Sequence, residues 1–238
     1  MTILVVGDSF SFGLELSDLP TRHLTWHGNK YVDPTTGELI HLEPSQLAWP
    51  ALLGQKLCQP IENISLPGSS NDRIFRKAVT YSIIKNYDLI ICAWTNVDRY
   101  DFSWGQHELQ LSASNVMPDL MWFKEFVADH HSSVLMYQKW LSSVICLQEF
   151  FKAKNQPYLF VNSFAPSINF SILNIDGHSL EPKTHIDHRH YIDWDSNFYE
   201  WCRALPTGPG GHFLEDGHKL VSDRLANIIQ QNKYCNET

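Results

Sequence analysis

The sequence predicts an α/β fold, a mostly parallel sheet with helices on both faces. Three observations carry this. Short apolar runs recur along the chain, at Ile3-Leu4-Val5-Val6, Ile61 to Leu66, Asp88 to Trp94 and Tyr158 to Asn162. Continuous apolar runs of this length suit strands buried on both faces. Helical patterns separate the runs, and alternation of strand and helix is the signature of a layered α/β architecture. The best punctuated turns, at Gly7-Asp8-Ser9, Pro67-Gly68 and Thr95-Asn96, each follow one of these runs. In such folds the functional edge lies at the C-terminal ends of the strands.

The elements follow in order. Gln46 to Leu57 has a helical pattern with Pro50 near its first turn, where a missing N–H costs nothing. Ser70 or Asn71 can cap a helix running to about Asn86, whose apolar stripe is Ile74, Ala78, Tyr81 and Ile84. Thr95 to Pro118 reads as polar and aromatic loop. Asp119 to Lys154 reads as helical, in one or two pieces. Phe164 to Pro209 is irregular and holds four of the twelve His. Glu215 to Gln231 closes the chain as a helix with Leu220, Leu225, Ile228 and Ile229 mostly on one side. The expectation is one domain over residues 1–238, with long excursions near 14–46, 95–118 and 164–209. No repeat, low-complexity tract or linker interrupts it.

Composition narrows the function. Apolar residues make up 43% and charged residues 18%, a globular balance. The net charge of −8 leaves no basic face for phosphates, so neither nucleic acid nor an anionic membrane surface is expected as a partner. Five scattered Cys without C-x-x-C spacing argue against a disulfide framework and a Cys-rich zinc site. No basic region followed by an apolar run opens the chain, and no run reaches the roughly 18 apolar residues of a membrane helix. A cytoplasmic location is the expectation, in a host cell or virion if the chain is phage-encoded. No cofactor or metal is expected. The His185-Ile186-Asp187-His188-Arg189-His190 cluster could share a metal only if it formed one helical turn, and a solvated loop is preferred.

Nucleophilic serine chemistry needs a Ser on a tight turn, a His base, oxyanion donors and a group that orients the His. Ser9 follows strand one directly. Gly68 can present an unobstructed N–H, and Asn96 a side-chain amide. His212, in Gly208-Pro209-Gly210-Gly211-His212, precedes the terminal helix and can lean over the sheet edge.

Gly7-Asp8-Ser9, Gly68, Asn96 and His212 stand in the order of the four blocks of the SGNH (GDSL-type) hydrolase superfamily, which the chain resembles through short motifs over residues 3–229. The Pro67-Gly68-x-x-Asn71 and Gly-Gly-His-x-Leu-Glu-x-Gly-His forms look like phage-type members. The resemblance implies a flavodoxin-like, three-layer fold with about five parallel strands. It also implies hydrolysis of a carboxylic ester on a small molecule or an acylated carbohydrate, without cofactor or metal. Carried over, Ser9 is nucleophile and His212 general base. The Ser9 N–H, Gly68 N–H and Asn96 amide form the oxyanion hole.

Two positions depart from the pattern. The family acid three residues before the His falls at Pro209, and the residues flanking Asn96 in the third block are Trp94 and Val97. Asp216, Asp193 and Asp195 are the candidate replacement acids. The reading adopted is a Ser9–His212 dyad with a neutral acceptor behind the imidazole. The competing reading is a weakened SGNH-fold module that binds a glycan or a protein. Tyr100, Phe102, Trp104, Trp122 and Trp194 would line a sugar site in either case, or form the core of a lid. The oligomeric state is not legible.

Overall fold

The structure is a computed structural model that describes residues 2–19, 25–27, 30–33, 35–104, 107–113, 121–164, 173–175, 178–232 and 234. Strand β1 (Ile3–Val6) runs into the four-residue helix α1 (Ser9–Phe12). Strands β2 (Thr25–His27), β3 (Lys30–Val32) and β4 (Leu39–Ile40) form a small antiparallel sheet in the first excursion. Helix α2 (Trp49–Leu57), strand β5 (Ile61–Asn63), helix α3 (Asn71–Ile84) and strand β6 (Leu89–Trp94) follow. The second excursion is a hairpin, β7 (Arg99–Trp104) with β8 (His107–Ser112), where the sequence pattern indicated loop. Helices α4 (Met121–His130) and α5 (Ser133–Ala153) lead to strand β9 (Tyr158–Asn162). Strands β10 (Leu173–Ile175) and β11 (His178–Leu180) pair within the third excursion. The short α6 (Phe198–Trp201) and the terminal α7 (Glu215–Gln231) complete the chain.

The central sheet has the order β5-β1-β6-β9, all parallel. It is the expected three-layer α/β fold, with a difference at one edge. The expected fifth strand is reduced to a single parallel bridge between Phe160 and Tyr191, closed by Phe160 N–H to the His190 carbonyl and Ile192 N–H to the Phe160 carbonyl. The segment around it is a succession of turns, so only one residue reaches the ladder.

The period-two geometry of a strand divides each run between two cores. Leu4, Val6, Ile90, Cys92, Trp94 and Phe160 face one core, shared with Ile74 of α3 and Val144 and Leu147 of α5. Ile3, Val5, Ile91, Ala93, Leu159 and Val161 face the other, shared with Leu53 of α2 and Val221, Leu225 and Ile229 of α7. All of these side chains are fully or almost fully withdrawn from solvent. Each strand residue is therefore held on both flanks, and the chain leaves the sheet at fixed points. Those exits carry Ser9, Gly68 and Asn96.

Helix ends are set by local chemistry. Asp8 caps α1 by accepting from the Phe10 N–H, and Ser70 caps α3 by accepting from the Arg73 N–H. A side-chain oxygen at the N-cap satisfies one of the orphan donors of the first turn. Among the described residues no helix is long and apolar enough to cross a membrane.

Candidate functional site

Strand β1 ends at Val6, and Ser9 opens α1 with only 4% of its surface exposed. His212 arrives from the far end of the chain, and its Nε2 lies 2.8 Å from Ser9 Oγ. Its Nδ1 lies 2.8 Å from Glu15 Oε2. A carboxylate can only accept, so Nδ1 carries the proton and Nε2 is left to accept from the Ser9 hydroxyl. The ring leans on Phe10, centroid to centroid 4.9 Å, and Phe10 is flanked by Phe164 and Phe213.

Glu15 corrects the expectation of a neutral acceptor behind His212. None of the three proposed aspartates is there. Asp193 is engaged with Arg224, whose guanidinium stacks over Trp201. Asp195 is exposed, and Asp216 is exposed in the first turn of α7. Glu15 comes instead from the turn that leaves α1, in a left-handed conformation at φ +70°. Its Oε1 accepts from the Gly210 N–H at 2.6 Å, and its Oε2 also accepts from the His212 N–H at 3.1 Å. Burial works against ionisation of Glu15. The donors of Gly210 and His212 outweigh it and hold the carboxyl below its ordinary range.

The loop that meets Glu15 is shaped for close approach. Gly208 N–H donates to the His212 carbonyl at 2.7 Å, and Gly211 N–H to the Gly208 carbonyl at 3.0 Å. A Cβ at Gly208 would stand 2.8 Å from Glu15 Cδ, and one at Gly210 would stand 3.0 Å from Glu15 Oε2. The segment is also tied in the reverse direction, because Ser17 N–H donates to Glu215 Oε1 at 3.1 Å.

Behind Ser9 lies a buried polar knot that the sequence reading did not include. Asp8 is wholly buried and ionisable, and it accepts from the Phe10 N–H and from Thr95 Oγ1 at 2.6 Å. Arg99 Nη1 stands 3.5 Å from Asp8 Oδ2 and donates to the Ser69 carbonyl at 3.1 Å. Burial pulls the Arg99 guanidinium down from its ordinary value, with Asp8 opposing that shift. Asn71 exchanges two hydrogen bonds with the backbone of Thr95, at 2.9 and 3.0 Å. Thr95 therefore joins the exits of β1, β5 and β6.

That knot carries the other two expected residues. Gly68 turns at φ +79°, a conformation L side chains resist, one residue before the carbonyl held by Arg99. Asn96 follows Thr95, and its Oδ1 accepts from the Asp98 N–H at 3.2 Å. That bond fixes which end of the amide faces its own loop.

The aromatic residues proposed for a sugar site do other work. Tyr100 and Phe102 pack edge-to-face on Phe123 and Phe126 of α4, and Trp122 packs on Phe102. They pack in a hairpin-and-helix layer around buried Phe123, with Tyr100 and Phe102 half-buried and Trp122 exposed. Trp194 is buried and stacks on Trp140. The Trp104 side chain lies outside the described residues. His185 to His190 is not a helical turn. His190 stacks on Tyr158, and Asp187 pairs with Arg189 and Lys152. Of the three excursions, Glu15, Arg99 and Phe164 reach the site, and the remainder of each lies partly outside the described residues.

No family model matches the sequence, and no curated protein matches it. Solved structures do. The psychrotrophic esterase EstA from Pseudoalteromonas sp. superposes with a TM-score of 0.52 at 13% identity, over 97% of each chain. A carbohydrate esterase family 2 enzyme with its carbohydrate-binding domain, from Corynascus thermopiles (Myceliophthora fergusii), gives 0.52 at 11% identity, over 98% of this chain and 66% of that one. A two-domain esterase active on acetylated mannans gives 0.51 at 13% identity, over all of this chain and 51% of that one. The chain shares its fold with these esterases.

Proposed function

We propose that the protein is a serine hydrolase of carboxylic esters in which Ser9 is the nucleophile and His212 the general base. One observation carries this reading: the 2.8 Å contact between Ser9 Oγ and His212 Nε2, just beyond the C-terminal end of the inner strand β1, with Nε2 as acceptor. It is the nucleophile–base geometry that acyl transfer needs. The fold shared with three esterases supports it.

In the first half-reaction the Ser9 hydroxyl proton passes to His212 Nε2 as Oγ bonds to the acyl carbon. The carbonyl π electrons move to its oxygen, which the Ser9 N–H, the Gly68 N–H and the Asn96 amide receive. Collapse of that oxyanion breaks the bond to the alcohol, which leaves with the proton from Nε2. In the second half-reaction water repeats the sequence on the acyl-enzyme and restores Ser9. Fixed donors aimed at a developing oxyanion are often the largest single contribution to such catalysis.

Two of the neighbours are named for carbohydrate esters, which supports an acylated carbohydrate as substrate. The test is hydrolysis of p-nitrophenyl acetate and of an acetylated mannan or xylan by the purified chain. Turnover is expected and should vanish in Ser9→Ala and in His212→Ala. Full activity in Ser9→Ala would remove the serine mechanism.

A further inference from the structure

We infer that Glu15 is the positioning carboxylate of this site, relocated from the histidine loop to the turn that follows the nucleophile, and that one side chain both orients the imidazole and holds the loop that carries it. The inference rests on the reading of Ser9 and His212 as nucleophile and base, and assigns a residue that reading does not require.

Four independent features converge on Glu15. The first is direct: Oε2 accepts from His212 Nδ1 at 2.8 Å. The second is the set of backbone donors. Gly210 N–H and His212 N–H both point at the same carboxylate, so the segment 210–212 forms a small cradle for one anion. The third is steric. Gly208 and Gly210 are the positions at which a Cβ would intrude on the carboxylate, at 2.8–3.2 Å. The fourth is conformational. Glu15 sits at φ +70°, which a residue with a Cβ adopts only when its surroundings compensate.

These features explain Pro209. An acid at that position would have to reach His212 from within the loop. Here the loop offers its N–H groups outward, at 210 and 212, and residue 209 has no donor to contribute, so proline is tolerated and stiffens the turn. A carboxylate behind the histidine fixes its tautomer and faces the imidazolium that forms during attack. Glu15 is placed to do both, and stays ionised because its donors outweigh its burial.

The test compares native protein with Glu15→Gln, using p-nitrophenyl acetate turnover, thermal unfolding and the far-downfield proton resonance of the His212 Nδ1–H. A glutamine of the same shape must present either an NH2 to Nδ1, favouring the wrong tautomer, or an NH2 to the Gly210 N–H. The expected result is a kcat loss on the order of 10³–10⁴-fold, KM nearly unchanged, and loss of the Nδ1 resonance in a folded protein. Ser9→Ala should be inactive yet retain the resonance. Glu15→Gln with native kcat, or with the resonance intact and activity lost only in proportion to unfolding, overturns the inference and leaves the nucleophile and base untouched. Native turnover in Ser9→Ala overturns the proposed function instead, while the resonance still reports on Glu15.

Discussion

Gly208→Ala separates the cost of disturbing Glu15 from the cost of disturbing the fold. The added Cβ would stand 2.8 Å from Glu15 Cδ and 2.9 Å from both carboxylate oxygens, where ordinary contact begins at 3.4 Å. Gly208 is not among the glycines with positive φ, so alanine fits the backbone without strain. The clash falls on the end of a flexible side chain, which can retreat. A retreat of 0.6 Å along the bond to His212 Nδ1 would stretch it from 2.8 Å beyond the ~3.2 Å limit of a sound N–H···O bond. A hydrogen bond to a charged group contributes about 1.5–3 kcal/mol. At roughly 1.4 kcal/mol per decade, kcat/KM should fall about 10- to 150-fold. Water can replace part of the weakened contact, so the melting temperature should fall by no more than about 2–4 °C, the equivalent of roughly 1 kcal/mol in a chain of this size. Gly210→Ala, whose Cβ would meet the same carboxylate at 3.0–3.2 Å, should show a smaller loss of the same kind. Gly211→Ala is the converse. Its Cβ meets nothing within 4 Å, but φ is +85°, so it should lose stability by about 1 kcal/mol and keep most of its activity when folded. Steady-state kinetics on p-nitrophenyl acetate and thermal scans on the three variants form the assay. Native kcat/KM in Gly208→Ala, or losses in rate that track losses in melting temperature across the series, would refute the reasoning.

Three further outcomes are expected. Asn96→Ala should raise the barrier by about 2.7–4 kcal/mol with little change in KM, the effect of one lost oxyanion donor; native turnover would remove Asn96 from the mechanism. Thr95→Val deletes the hydroxyl that donates to buried Asp8 at 2.6 Å. It should cost about 1.5–3 kcal/mol of stability in denaturant titration, because the carboxylate stays buried with one fewer partner, and an unchanged midpoint would count against the knot. His218 is buried against Phe213, accepts from the Trp49 N–H at 3.0 Å, and is held by that burial at a pKa of about 3. Its neutral form is favoured in the folded state, so its contribution is fully present above the unfolded value of about 6.5 and is lost as pH falls toward 3. His218→Gln keeps an acceptor that cannot take up that proton, and should flatten the fall in melting temperature across that interval.

The parts of the molecule legible in the sequence were those with a single local cause. Val5 and Val6 must be buried wherever the chain goes, and a glycine that has to turn at positive φ reads as punctuation, as at Gly68. The hairpin β7–β8 does carry a strand signal, the alternation of Tyr100, Phe102 and Trp104 and then of Leu109 and Leu111 about Gly105-Gln106, but a loop-like polar composition masks it. The aromatics Tyr100 and Phe102 read equally as a sugar platform or as a lid core. Only the contact with Phe123 and Phe126 distinguishes these, and it depends on tertiary structure. The reduction of the fifth strand to the Tyr191 bridge belongs to the same class. Tyr191 was available to pair, but the turns on either side limit how much chain can follow.

Glu15 shows why the acid was missed and what would have found it. In SGNH hydrolases the acid lies three residues before the base, which directs attention to Asp193, Asp195 and Asp216, on the histidine's side of the chain, and away from residue 15. The chemistry fixes a point in space behind Nδ1, and no chain position. Any element that passes that point can supply the oxygen, and the turn leaving α1 passes it because α1 is only four residues long. The signal was on the receiving side. Gly208 and Gly210 bracket a proline in a loop that also needs a third glycine at 211, and glycines at alternate positions are the mark of something approaching the backbone closely. A loop that must expose the N–H groups of residues 210 and 212 to one object is built to receive an anion. With Pro209 where SGNH hydrolases carry their acid, the anion comes from outside the loop, and the carboxylate in the turn that directly follows α1 is Glu15.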